Sequence, residues 1–190
     1  EPFVYRVPLA TPVQTSFGIM HDRPAVLLRV VDEDGVEGWG ESWCNFPAVG
    51  AEHRARLVQS VLAPIALGGE WDGPAALFQA LTGRTAVLAI QCGEPGPIAQ
   101  AIAGVDIAAW DLVARRAGMP LWQLLGGSSG RIRVYASGLN PDQPQRLASE
   151  RAAQGYTAFK LKVGFGEERD LRNLAELRAT LGPQATLMVD

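Results

Sequence analysis

Metal-binding and disulfide-forming side chains are scarce in this sequence, which has two cysteines and two histidines. Cys44 and Cys92 lie far apart and form no C-x-x-C pair, so they indicate neither a zinc site nor a disulfide framework. His21 and His53 are also distant in sequence, which argues against a metal site built on histidine. So few cysteines without a disulfide pattern are typical of a reducing compartment, and we expect a cytoplasmic protein.

Long apolar runs and an excess of basic residues are absent as well. No stretch approaches about 18 consecutive apolar residues, so we expect no membrane partner. The formal net charge of −3 gives no reason to expect a nucleic-acid partner. The amino terminus has neither an initiator methionine nor the apolar core of a signal peptide, and we expect that a few residues have been trimmed from it.

The composition that remains is that of a globular protein, with 47% hydrophobic and 19% charged residues in 190 positions. That length suits one domain, or one small domain with part of another. The first 41 residues predict antiparallel β structure, with strands at 3–9 and 25–31 and a turn at Asp32-Glu33-Asp34-Gly35 before a strand at 36–41. Residues 10–24 read as a long loop rich in Thr, Ser, Gly and Pro, and loops of that length are often functional.

A helical period replaces the β pattern from residue 51 onward. Pro74 opens a short helix, and the longest helical pattern covers 97–117, where a basic last turn precedes Gly118. A short helix then ends at the paired glycines Gly126 and Gly127. We place the end of a first, α+β domain there, at residues 1–127.

Strands and helices alternate strictly in residues 128–190, which we assign to a second domain. The β-α-β-α-β order predicts a parallel sheet with right-handed crossovers. Two architectures begin in this way, a doubly wound sheet and a (β/α)₈ barrel, and three strands complete neither. The predicted elements are strands at 131–137, 158–163 and 186–190 and helices at 143–154 and 167–181.

The second of these strands carries two lysines in Phe159-Lys160-Leu161-Lys162-Val163. Because successive strand side chains point to opposite faces, Lys160 and Lys162 share one face and the apolar residues share the other. A strand with one solvated face would alternate in the same way, and this reading stays open. However, parallel strands are normally covered on both faces, so the lysines are expected to line a polar cavity.

Side chains at the carboxyl ends of parallel strands converge on the ligand, and Ser137, Lys160, Lys162 and Asp190 fall at such positions. A lysine beside a second cation has a lowered pKa and can act as a base near neutral pH. Asp190 could supply a hard oxygen ligand to a divalent cation, although a strand-end Asp is also common as a helix N-cap or turn residue. The set suggests abstraction of a proton α to a carboxylate, with the cation stabilising the enediolate.

Several longer motifs stand out along the chain. They are Pro8-Leu9 through Thr15-Ser16-Phe17-Gly18, then Gly38-Trp39-Gly40-Glu41, then Ala103-Gly104-Val105-Asp106-Ile107-Ala108-Ala109-Trp110-Asp111-Leu112 and Pro120-Leu121-Trp122-Gln123-Leu124-Leu125-Gly126-Gly127. These motifs resemble the mandelate racemase and muconate lactonizing branch of the enolase superfamily. Together they span the chain and are far more specific than any one motif. The resemblance implies an α+β capping domain followed by the first β/α units of a TIM-type barrel that is incomplete in this chain.

The resemblance also implies roles for individual residues. Lys162 would be the proton-abstracting base, Lys160 would stabilise the enolate, and Asp190 would be the first of three acidic Mg²⁺ ligands. Ser137 would contact the substrate, a small-molecule carboxylate, and Thr15 and His21 in the specificity loop are further candidate contacts. We expect that loop, at 15–23, to cover the lysines. We also expect a homo-oligomer.

The reaction itself depends on residues that would follow Asp190. The chain reaches only the first expected metal ligand, so we expect it to be part of a longer enzyme. Racemisation or dehydration of a hydroxy acid or sugar acid is the leading interpretation. A cycloisomerase of the muconate lactonizing type, or an epimerase of an amino-acid derivative, is the alternative among enzymes. A non-catalytic α/β ligand-binding or interaction domain is the alternative of another class.

Overall fold

The computed structural model describes residues 1–15 and 18–190. Ser16 and Phe17, which belong to a motif quoted above, lie outside the described residues. Contacts divide the chain into two compact units, one with Glu1–Ala10 and His21–Gly130 and the other with Thr11–Met20 and Arg131–Asp190. Residues 15–20 of the segment expected to cover the lysines thus group with the second unit. The domain boundary at residue 127 stays a prediction.

The amino-terminal sheet has three strands in the order β1-β2-β3. They are β1 (Pro2–Thr15), β2 (Gly18–Val31) and β3 (Glu37–Ser42), and β2 pairs antiparallel with β3 so that Leu28 faces Gly40. The prediction of a loop at 10–24 is therefore wrong, because β1 and β2 continue through most of it. Its β-branched residues, such as Thr11, Val13 and Ile19, favour a strand, and pairing satisfies backbone groups that a loop would leave to water.

Helices cover one face of this sheet. The first, α1 (Gly50–Leu57), continues through a π-helical turn (Val58–Leu62) into α2 (Ala63–Leu67). The next two are α3 (Pro74–Gln91), which is longer than expected, and α4 (Pro95–Arg116), and a single turn, α5 (Leu121–Leu124), follows. Their buried residues form one apolar core with the sheet, including Val26, Leu28, Leu62, Leu81, Ile98 and Ile102.

Glycines allow α4 to lie directly on β3. A methyl group at Gly38 or Gly40 would overlap carbonyl oxygens of α4, and one at Gly104 would come within 2.6 Å of Leu28 Cδ1 and 3.1 Å of Ser42 Cβ. A hydrogen bond also joins α4 to β3, because Asp111 Oδ2 accepts from Trp39 N at 2.8 Å. Two backbones can approach so closely only where glycine leaves no side chain between them.

Helix α4 bears on the expectation about membranes. By length and composition it is apolar enough to cross a bilayer, which a search for an unbroken apolar run did not detect. The core helix of a globular unit meets the same criteria, and α4 buries Ile98, Ile102, Val105 and Ala108 against its neighbours. Its apolar character is accounted for by this packing.

The second unit contains a separate parallel sheet in the order β4-β5-β6. Its elements alternate as predicted: β4 (Ala136–Leu139), α6 (Pro144–Ala153), β5 (Ala158–Leu161), α7 (Glu167–Leu181) and β6 (Thr186–Val189). The register places Lys160 opposite Met188 and Leu161 opposite Val189. Because the strands are parallel, their carboxyl ends lie at one edge of the sheet.

The first strand of this sheet is shorter and later than predicted. Residues 131–135 are exposed and lie outside any strand, although Ile132 and Val134 suggested one. Pairing with β5 begins at Ala136 opposite Phe159, and the register then shifts before Leu139 meets Leu161. An alternating pattern identifies the residues able to form a strand, but the ladder with a neighbour decides where it starts.

We expect Gly104→Ala to destabilise the protein by roughly 1–3 kcal/mol, because the added methyl group meets the fully buried Leu28 and the Ser42 backbone. Gly83→Ala in α3 is the matched control, since its methyl group would meet nothing within 4 Å. It should gain about 0.5–1 kcal/mol from helix propensity alone. Urea unfolding of both variants measures their free energies of unfolding. Equal stabilisation of the two variants would show that the α4–β3 contact is looser than described.

Candidate active site

The central strand β5 separates its side chains as the alternation predicts. Phe159 and Leu161 are buried in a cluster with Leu139, Ala148 and Leu177 from the neighbouring elements, and Val163 packs against the same cluster. Lys160 and Lys162 lie on the opposite face and are partly exposed, with side-chain exposures of 21% and 38%. The core therefore fixes the strand's orientation, and the two ammonium groups share one side of the sheet.

Both lysines reach the same carboxylate oxygen at the end of β6. Lys160 Nζ lies 2.9 Å from Asp190 Oδ2, and Lys162 Nζ also donates a hydrogen bond to Oδ2. The backbone holds Asp190 there, because Asp190 N donates to Leu161 O at 3.1 Å and Val163 N donates to Asp190 O at 3.0 Å. The parallel register is thus what brings these three side chains together.

The charges of this triad shift two of its proton equilibria. Hydrogen bonds from Lys162 and Lys160 lower the pKa of Asp190 to about 2. In turn, the bond to Asp190, followed by a bond with Tyr135, raises the pKa of Lys160. The argument that a second cation would lower a lysine pKa is therefore wrong for Lys160, because the nearby anion outweighs the neighbouring ammonium group.

Tyr135 is a member of the site that the sequence analysis did not select. Lys160 Nζ lies 5.2 Å from the centre of the Tyr135 ring, within the range of a cation–π interaction, and the phenol side chain also hydrogen-bonds to Lys160. The sequence signal that could have identified Tyr135 was its spacing from Ser137, because residues two apart in an extended segment share a face.

The other predicted substrate contacts do not join the triad. Ser137 is the second residue of β4 and is exposed, and among the described residues no hydrogen bond or ion pair links it to the lysines or Asp190. Thr15 uses its hydroxyl within its own hairpin, where Oγ1 donates to Gly18 O at 2.7 Å. His21 is exposed in β2. Their roles toward a substrate stay predictions.

The carboxylate of Asp190 is a suitable ligand for a hard divalent cation, but it is a single ligand. Within residues 1–15 and 18–190, no group of three or more His, Cys, Asp or Glu side chains could hold a metal ion. The donor set therefore fits one position of a Mg²⁺ site and requires further oxygen ligands from outside this chain segment.

The α+β unit, the parallel β/α strands that follow it and the Lys-x-Lys pair facing a strand-end Asp define a chain of the enolase superfamily. The N-terminal domain of the mandelate racemase / muconate lactonizing enzyme family matches residues 2–126, and the chain belongs to this family. The predicted fold is confirmed: a capping domain precedes the first β/α units of a barrel.

Three known proteins illustrate the relationship. A mandelate racemase/muconate lactonizing enzyme from Bordetella bronchiseptica is 58% identical, with a TM-score of 0.91, over 100% of this chain and 49% of its own. A racemase from Streptomyces coelicolor, solved with bound magnesium, is 33% identical, with a TM-score of 0.86, over 100% of this chain and 53% of its own. D-galactarolactone cycloisomerase from Agrobacterium fabrum is 34% identical over 96% of this chain and 48% of its own. The chain thus spans about half the length of these relatives.

We expect that Lys162→Met raises the pKa of Asp190 from about 2 toward its ordinary value of 3.8 in the metal-free full-length protein. The reason is that the variant removes the first of two ammonium groups that favour the ionised carboxylate. The titration midpoint of Asp190 is measured by following its carboxyl ¹³C chemical shift by NMR between acid and neutral pH. Arg151→Met, on α6, removes a distant charge as the control. An unchanged Asp190 midpoint in Lys162→Met would contradict the described ion pair.

Proposed function

We propose that the full-length protein is a Mg²⁺-dependent enzyme that removes the proton α to a carboxylate and forms an enediolate. The observation that carries this proposal is the convergence of Lys160 and Lys162 on one oxygen of Asp190. A structural ion pair would need only one lysine. Two ammonium groups beside a metal-binding carboxylate at the ligand-binding edge of a parallel sheet suit a reaction that builds negative charge on the substrate.

The two lysines suit different roles because their surroundings differ. Lys160 is the more buried and is held by both Asp190 and Tyr135, which raise its pKa, so it remains an ammonium ion. A permanent positive charge is what stabilising an enediolate oxygen requires. Lys162 is more exposed and follows the last residue of β5, so its Nζ is the better placed of the two to meet an α-proton as the general base.

Asp190 would hold Mg²⁺ together with ligands beyond this chain segment. When bound, the cation would polarise the substrate carboxylate and stabilise the charge that develops on it. The Asp190 carboxylate that would hold the cation is the one that both lysines contact in this structure.

We further propose that the substrate is a hydroxy acid or sugar acid, with Ser137, Thr15 and His21 as contacts, and that the enzyme is a cytoplasmic homo-oligomer. The curated relatives include cycloisomerases, racemases, an epimerase and a dehydratase. They support the general class of reaction and select neither a substrate nor one of these reactions.

Cycloisomerisation is the second candidate, because the relative from Agrobacterium fabrum is named as a cycloisomerase of a sugar-acid lactone. Incubating the full-length enzyme with a panel of aldonic acids, aldaric acids and lactones in D₂O separates the possibilities by mass spectrometry. Deuterium with inverted configuration indicates a racemase or epimerase, and loss of water indicates a dehydratase. Ring opening or closure without loss of mass indicates a cycloisomerase. A protein that exchanges no α-proton from the panel would favour an epimerase of an amino-acid derivative or a non-catalytic ligand-binding domain.

We expect Lys162→Ala in the full-length enzyme to slow exchange of the substrate α-proton with D₂O by about 10²- to 10⁴-fold, because no other described group replaces the base. Mg²⁺ affinity should stay within a few fold, since Asp190 remains. Lys162→Arg is the matched control: it keeps the positive charge but does not deprotonate near neutral pH. The two variants should be equally slow. A Lys162→Arg enzyme with near wild-type exchange would show that position 162 supplies charge alone.

We expect Asp190→Asn to act differently, by weakening Mg²⁺ binding and reducing every partial reaction together. A neutral amide is a poorer ligand for a hard divalent cation than a carboxylate. Titration with Mn²⁺, followed by electron paramagnetic resonance, measures metal affinity, and raising the metal concentration should recover part of the lost exchange. If Asp190→Asn binds the metal as tightly as wild type, another residue is the ligand.

A further inference from the structure

The loop that follows Lys162 passes through backbone conformations that favour glycine. Gly164 and Gly166 have φ values of 97° and 111°, a region that other residues rarely adopt. They belong to the segment 162–166, which links β5 to α7 and begins with Lys162. A flexible sequence in this place needs an external restraint if the side chain before it is to stay in position.

The backbone N–H groups after β5 show what restrains this segment. Lys162 N donates to Leu139 O at 3.0 Å, and Val163 N donates to Asp190 O at 3.0 Å, so the neighbouring strands hold these two residues. The next two N–H groups both use one side chain: Gly164 N lies 2.8 Å and Phe165 N lies 3.3 Å from Asp170 Oδ2. Asp170 therefore accepts the backbone hydrogen bonds that follow the end of the β ladder.

Helix α7 holds Asp170 in position. Asp170 lies in its first turn, and Asp170 N donates to Gly166 O at 2.9 Å. Further along the helix, Leu177 is in the apolar core, and buried Asn173 donates from Nδ2 to Pro141 O at 3.0 Å in the loop after β4. Two polar side chains of α7, three residues apart, thus bind the backbone of two different loops.

We propose that Asp170 is a positioning residue for Lys162, an inference that rests on the proposed function. Its carboxylate fixes Gly164 and Phe165, and this restricts the segment that carries the general base. Asp170 touches neither Lys162 nor Asp190 through its side chain, so it acts on the rate of proton transfer through geometry. Displacing a reacting group by about 1 Å costs up to 10²-fold in rate.

The two oxygens of Asp170 have different surroundings. Oδ2 accepts both loop hydrogen bonds, whereas Oδ1 is buried and has no hydrogen-bond partner among the described residues. Asparagine keeps an oxygen at the Oδ2 position and changes the other atom, so Asp170→Asn preserves the acceptor while removing the charge. Asp170→Ala removes both. Comparing the two variants separates the effect of loop geometry from the effect of the negative charge.

We expect Asp170→Ala in the full-length enzyme to lower kcat for α-proton exchange by about 10- to 100-fold, with KM for the substrate within about twofold. The amides of Gly164 and Phe165 should exchange with D₂O at least about tenfold faster, as measured by hydrogen-exchange NMR, because a hydrogen bond to a charged acceptor is lost. Asp170→Asn should recover most of both losses.

Asn173→Ala is the matched control, because it removes a side-chain hydrogen bond to backbone from the same helix but at the loop after β4. It should cost similar stability and leave the Gly164 and Phe165 amides protected. Equal loss of kcat in Asn173→Ala and Asp170→Ala, or wild-type kcat in Asp170→Ala, would overturn the assignment of Asp170. A wild-type enzyme that exchanges no α-proton would instead contradict the proposed function, whichever way amide protection responds.

Discussion

The candidate site depends on the parallel pairing of β5 with β6. This pairing sets Leu161 opposite Val189 and so brings Asp190 beside the two lysines that flank Leu161. The apolar side chains of β5 fix the strand's orientation in the core, because a shift of one residue would bury the lysines and expose Phe159 and Leu161. Stability and the placement of charge therefore have one cause in this sheet. The hydrophobic face determines where the ammonium groups point.

The two lysines of the triad have different surroundings. Lys160 lies between the Asp190 carboxylate and the Tyr135 ring, both of which favour its charged form. Lys162 is at the end of the ladder, where strand pairing gives way to a loop held by Asp170. One lysine is thus surrounded by groups that keep it charged, and the other is more exposed. Two lysines that are two residues apart in one strand therefore differ in their contacts.

Local pattern predicted the parts of the fold that local forces control. The helix at Glu167–Leu181 and the alternation of strands and helices in the second unit follow from hydrophobic period and end signals within each segment. The strand at 131–137 and the loop at 10–24 were misassigned because pairing with another strand, and not propensity, decided them. Tyr135 was missed for a similar reason, since its importance comes from its distance to Lys160.

The sequence by itself determined which residues could form the site: Lys-x-Lys in a buried strand and an acidic residue one β/α unit later. It also determined the family, because several motifs occur in the expected order. Only the tertiary structure decided that both lysines share one oxygen of Asp190, that this raises the pKa of Lys160, and that Asp170 holds the next loop. These features depend on distances between segments far apart in the chain. Electrostatic interactions and hydrogen bonds change steeply with distance, so a residue pattern alone does not fix their strength.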